Sequence, residues 1–170
     1  MIDISRITNP EAKRFITAFL ADREINREFY LRVPEDRFDF RMVNTPARKS
    51  DSPRESLAHQ IDTTRDYING VKTGVLKFNI KYPDLENIQK LSKAILLEKL
   101  EEGEKDLVEV LVEAVNQKKK VQVPWAKEPL YAVIILWSLD SHEILHTGWN
   151  LALMDFLNIE RFPALKKMWG

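Results

Sequence analysis

The sequence predicts an all-α protein, a four-helix bundle with long connecting loops. Three observations carry this. Glycine is scarce, five residues in 170, while 44% of residues are hydrophobic and lie in long stretches free of Gly and Pro. Apolar residues recur at helical spacing in four such stretches. Helix start signals precede the first three of them. At this length the chain, residues 1–170, fits one helical domain with a real core.

Asn9-Pro10-Glu11 places an N-cap before a proline at the first helical position. Phe15, Ile16, Phe19, Leu20, Ile25, Phe29 and Leu31 then predict a first helix over 10–32, which Pro34 ends. Residues 34–51 hold Phe38, Phe40 and Met42 at alternating positions. Too short and isolated for a sheet, they predict an ordered loop across the bundle. Ser52-Pro53-Arg54-Glu55 is a capping box, opening a second helix with Leu57, Ile61, Ile68 and Val71 on its stripe that ends near Gly70 or Gly74. Asp84 after Pro83 predicts the N-cap of a third helix, whose stripe runs from Leu85 through Leu96, Leu100, Leu107 and Leu111 to Ala114, with a break at Leu91-Ser92 as an option. Its charged opposite face reads as a solvated surface. Lys118-Lys119-Lys120 is expected to offset the macrodipole at the C-terminus of that helix. The fourth helix is expected over 128–158, ended by Asn158, with Phe162 to Gly170 as a tail in which Trp169 is available to pack. The connections, roughly ten residues or more against the usual two to eight, predict crossover loops.

Composition narrows the function classes. Lys plus Arg equals Asp plus Glu at 26 each, so no net field points to nucleic acid or an anionic membrane. No cysteine is present, which excludes disulfides, thiolate metal sites and cysteine nucleophiles. No apolar run approaches membrane-spanning length and the N-terminus has no apolar signal region, so a cytoplasmic protein is expected.

Two of the three histidines stand four residues apart in Asp140-Ser141-His142-Glu143-Ile144-Leu145-His146. On a helix, such residues share a face about 6 Å apart along the axis. His59 on the second helix can meet them across a bundle, and three neutral imidazoles with an open fourth position suit a zinc or nickel type of ion. Asp62, Asp66, Asp140 and Glu143 are the carboxylates available to orient or balance such a site. His59 lies about 160° around its helix from Leu57 and Ile61 and shares a polar face with Ser56, Thr63 and Asp66, so the site is expected to line an open groove. Trp149, within a turn of His146, is the candidate groove wall, whereas Trp137 reads as core. The three histidines could equally be unrelated surface or capping residues.

The same stretch fits His-Glu-x-x-His of zinc metalloproteases, with Glu143 as general base. Against that reading, Thr147-Gly148-Trp149 misplaces the glycine of one protease class. Glu160 lies close for the ligand of another, past the helix end expected at Asn158, and no strand-rich region exists to hold an extended peptide.

The chain resembles the DinB superfamily of DinB/YfiT-like metalloenzymes. The resemblance rests on the lead-in Ser52-Pro53-Arg54-Glu55-Ser56-Leu57-Ala58-His59, on Trp137 followed by His142-x-x-x-His146, and on a helix order covering nearly the whole chain. It implies an up-down-down-up bundle, frequent homodimers, bacterial origin and a divalent metal held by His59, His142 and His146. It also implies a metal-dependent enzyme acting on a small molecule, such as a hydrolase or an S-transferase using a low-molecular-weight thiol like bacillithiol or mycothiol. The family often has Arg-Gly-Gln after the second helix-four histidine, where this chain has Thr147-Gly148-Trp149. A non-catalytic dimeric metal-binding or stress-response protein is the alternative.

Overall fold

The computed structural model describes residues 2–169, without the side chains of Ala114, Val115 and Trp169. The expected packing of Trp169 and Ala114 therefore lies outside the described residues. Four long helices form the body: α1 (Pro10–Arg32), α2 (Pro53–Thr73), α3 (Lys93–Val112) and α5 (Ala132–Leu157). Two short helices, α4 (Ala114–Lys118) and α6 (Pro163–Trp169), and a two-residue ribbon of β1 (Lys120–Val121) with β2 (Leu130–Tyr131) complete it. Among the described residues, no helix is long and apolar enough to cross a membrane.

Side-chain register gives the directions. Along α1 and α5 the contacts Phe15–Trp137, Arg23–Glu143 and Asn26–Asn150 climb together, so these helices are parallel. Tyr30 meets Ser56 while Arg23 meets Thr64, which makes α2 antiparallel to α1. Arg54 reaches the Leu91 carbonyl just before α3, and a Cβ on Gly103 would touch Thr64, so α3 is parallel to α2. The bundle is up-down-down-up.

Local chemistry sets most helix ends. The Asn9 side-chain Oδ1 accepts from the amides of Glu11 and Ala12, and Ser52 and Glu55 form the reciprocal capping box. Gly74 and Asn158 end α2 and α5 at φ +84° and +54°, a region where glycine and asparagine meet the least steric resistance.

Two helix starts and the role of the basic run differ from the sequence expectation. Ser92, not Asp84, caps α3, accepting from the Ile95 amide at 3.2 Å. The Asp84 carboxylate is occupied by Arg65 at 2.9 and 3.0 Å and by Lys99 at 2.6 Å, which hold it down at about 2. The residues between Pro83 and Lys90 form two single 3₁₀ turns instead. The fourth long helix starts at Ala132, because Leu130 and Tyr131 pair with Val121 and Lys120. The basic run serves a different helix: Lys119 donates to the Lys72 carbonyl at the C-terminal end of α2.

The core falls into two apolar halves. One gathers Phe15, Phe19, Tyr67, Leu107, Leu111 and Leu136; the other gathers Phe29, Leu57, Leu96, Leu100, Leu153 and Phe162. Between them lies a buried polar layer. The Arg23 guanidinium, fully enclosed, donates to Glu143 at 2.6 Å and to the Thr64 hydroxyl at 2.7 Å, and its carbon sits 4.7 Å over the Phe19 ring. Asn26 donates to the Glu143 carboxylate at 3.1 Å, while its own carbonyl oxygen accepts from Thr147 at 3.1 Å and Asn150 at 2.9 Å. Burial pushes the Glu143 carboxyl upward, against the pull of Arg23 and Asn26.

Removing one partner of such a pair leaves a charge stranded in a low-dielectric interior. Glu143→Ala is expected to lose about 3–5 kcal/mol in denaturant unfolding, with most of it regained in Arg23→Met/Glu143→Leu. A single-variant loss below about 1 kcal/mol, the level of an exposed pair, contradicts a buried charge pair.

Candidate metal centre

The antiparallel faces of α2 and α5 meet around three histidines. The capping box starts α2 so that Ser56, His59 and Gln60, at positions i, i+3 and i+4, share one side of the helix. On α5, His142 and His146 sit one turn apart with ring centroids 4.5 Å from each other, and the His59 ring is 5.0 and 5.6 Å from them. One nitrogen from each ring lies within 4.8 Å of the other two. The Nε2 atoms of His59 and His142 are 3.1 Å apart. Nitrogen ligands about 2.0–2.1 Å from a tetrahedral zinc are about 3.3 Å apart, so this pair has the spacing of two ligands of one ion. His59 is exposed and the other two are more enclosed, as its polar helix face led one to expect.

Burial lowers the proton affinity of both α5 histidines. His142 falls to about 4, chiefly through desolvation and then through the charges of His59 and Arg23. His146 falls to about 3, through desolvation and then His142 and His59. Both rings are neutral near pH 7, the state that coordinates metal. His146 is also oriented from behind, its Nδ1 lying 2.9 Å from the Ser56 Oγ. The Ser56 oxygen accepts from the Tyr30 hydroxyl at 3.0 Å, and Gln60 donates to that hydroxyl at 2.5 Å. A proton on Nδ1 donated to Ser56 leaves Nε2 free for the groove, which is how metal-binding histidines are commonly fixed. Among the described residues, the buried His142 Nδ1 has no hydrogen-bond partner. The donor set fits a borderline divalent ion: three imidazoles, no thiolate and no carboxylate.

The groove above the rings has a volume of about 220 Å³ and is lined by Asp51, Ser56, Leu145 and Trp149 besides the histidines. Trp149 thus lies on its wall, while Trp137 packs edge-on against Phe15 and donates its indole N–H to Glu11 at 3.0 Å. The carboxylates suggested by the sequence lie elsewhere. Glu143 is one residue from His142, hence about 100° around the helix, and its carboxylate is bound in the core by Arg23 and Asn26. Asp140 is buried, and its carboxyl is pushed up to about 6 by burial and by Asp22 and Glu143. Asp66 shares the side of His59 but sits two turns further on, where the Tyr82 hydroxyl donates to it at 2.9 Å. Asp62 lines a separate cavity of about 490 Å³ with Asn79, Tyr82 and Glu86. Ser56, Tyr30 and Gln60 are the residues that sequence reasoning did not assign to the site. The available signal was that Ser56 lies three positions before His59, on the same face.

The Asp62 carboxyl is pushed up to about 6, by burial first and then by the Asp66 charge. Its folded proton affinity exceeds the unfolded one, so the native state holds the extra proton and stability falls as pH rises from about 4 to 6. Asp62→Asn is expected to shrink that fall. Discounted for solvent screening to about 1 kcal/mol, the change is about 2–4 °C in melting temperature between pH 4 and pH 7. Parallel pH profiles for parent and variant would remove this role.

No protein-family model matches the chain, and comparison with curated proteins found no match. Among solved structures, it is similar to a DinB-like protein, YjoA, of Bacillus subtilis, at 16% sequence identity and a TM-score of 0.62. The alignment covers 88% of this chain and 95% of that one. The up-down-down-up bundle described above is therefore a DinB-like fold.

Proposed function

We propose that His59, His142 and His146 hold one divalent metal ion, of the zinc or nickel type, and that the protein is a metal-dependent enzyme acting on a small molecule by hydrolysis or group transfer. The observation that carries this is the convergence of three ring nitrogens within 4.8 Å at the floor of an open groove. A divalent ion bound there supplies Lewis acidity and lowers the pKa of a coordinated water or thiol. Ser56 holds the His146 ring so that its Nε2 faces the groove. Leu145 and Trp149 form apolar walls that exclude water from one side of a bound molecule. Glu143 is not assigned as the base, since Arg23 and Asn26 occupy its carboxylate away from the groove. That same arrangement weighs against the protease reading of the motif.

A homodimer belongs to the same proposal. Ile134, Leu145 and Phe156 are 52%, 72% and 65% exposed along one side of α5, an apolar stripe that a second copy would cover.

Purified protein loaded with Zn²⁺ or Ni²⁺ and desalted is expected to retain about one ion per chain by elemental analysis, a retention lost in His142→Ala and His59→Ala. Stoichiometric metal in both variants would place the ion elsewhere. Sedimentation analysis should give a dimer for the parent and a monomer for Phe156→Glu, and a monomeric parent at tens of micromolar contradicts self-association.

A further inference from the structure

The histidine groove continues into a second cavity on the other side of His59 and His142. This cavity has a volume of about 440 Å³, within the range of about 300–1,000 Å³ usual for small-molecule sites. Its further lining is Thr63, Tyr67, Phe78, Ser138, Ser141 and Leu145. Aromatic rings dominate its far end. Tyr67 meets Phe78 edge-on at 5.9 Å, and Phe78 stacks on Trp125 at 6.1 Å with the planes 22° apart. Phe78 and Trp125 stay 40% and 52% exposed, an unusual outlay of aromatic surface on two connecting segments.

Backbone bonds join those segments. Leu76 N–H donates to the Gln122 carbonyl at 2.8 Å, and Gln122 N–H donates to the Gly74 carbonyl at 2.9 Å. The connection carrying Phe78 and the loop carrying Trp125 are thereby tied together, and the aromatic wall is formed before any ligand arrives. Charge is missing from it. Among the described residues, no Lys, Arg, Asp or Glu side chain lines this cavity, and its polar groups besides the two imidazoles are hydroxyls. Among the described residues, the groove next to it is lined by one carboxylate, Asp51, and by no Lys or Arg side chain. In the metal-free protein an anionic group inside this cavity would lose its hydration without a partner, at a desolvation cost.

We infer that this cavity binds an uncharged aromatic arm of the substrate, alongside the histidine centre, and that an anionic group on that arm is disfavoured inside the cavity. The inference deepens the metal-enzyme reading by naming the substrate class.

Two measurements test it separately from the metal. In metal-free protein, fluorine NMR should show 4-fluorobenzyl alcohol binding at least about tenfold tighter than 4-fluorobenzoate, a preference near the discrimination that one buried hydrophobic or charged group supplies. Ser138→Trp, which fills the cavity from an exposed helix position, should abolish the alcohol's binding, and Phe78→Ala, which removes the wall, should weaken it several-fold. Ser138→Arg should bring the benzoate to equal the alcohol. Equal binding of the two probes to the parent, no binding of either, or binding indifferent to both Ser138→Trp and Phe78→Ala overturns the inference. In Co²⁺-loaded protein, the visible spectrum should show benzohydroxamate displacing acetohydroxamate with about tenfold higher affinity, and this advantage should vanish in Ser138→Trp. Equal hydroxamate affinities on bound Co²⁺ would also overturn the inference, by separating the cavity from the ion. Failure of the histidines to hold Co²⁺, with the fluorine result intact, overturns the metal reading and leaves the apolar site standing.

Discussion

The enclosed pair of Arg23 and Glu143 is the constraint around which the bundle is arranged. A guanidinium and a carboxylate taken out of water are tolerable only when each is met by the other and by further hydrogen bonds. Meeting that condition draws in Thr64 from α2, Asn26 from α1, and Thr147 and Asn150 from α5. These contacts fix the register of three helices at mid-height, where apolar packing alone would accept small slips. Glu104 of α3 stands at the edge of this layer, buried and with its carboxyl pushed up by desolvation.

The candidate site is a consequence of that register. With Glu143 turned inward, His142 and His146 are carried to the side of α5 that faces α2. The α1–α2 contacts at Tyr30–Ser56 and Arg23–Thr64 set the height of His59 opposite them. The link from Gln60 through Tyr30 and Ser56 to His146 starts on the same side chains that pack α1 against α2. The neutral imidazoles, the hydroxyl-lined cavity and the tethered aromatic wall then form one continuous groove, with polar coordination at its floor and apolar surface at one end.

Much of the fold was legible because helix boundaries here are written in local chemistry. Asn9, the Ser52–Glu55 box and Asn158 act within four residues of themselves, and each ends a helix where the sequence places it. Asp84 after Pro83 carried the cap signal, with a break at Leu91-Ser92 as an option. Arg65 and Lys99, distant in sequence, took the Asp84 carboxylate and left the capping to Ser92. The start of α5 likewise moved four residues, from 128 to 132, because a partner strand ten residues upstream claimed Leu130 and Tyr131.

At the site, the sequence by itself determined the i,i+4 spacing of His142 and His146, the polar face that carries His59, and the place of Trp149 one turn beyond. Helical periodicity settles such relations without knowledge of neighbours. Tertiary structure alone decided where Glu143 points, that Ser56 backs His146, that Asp62 and Asp66 serve another region, and that Phe78, stacked on Trp125, lines the cavity beside the histidines. Each of those outcomes depends on which distant side chain reaches a given atom first, and no local period encodes that.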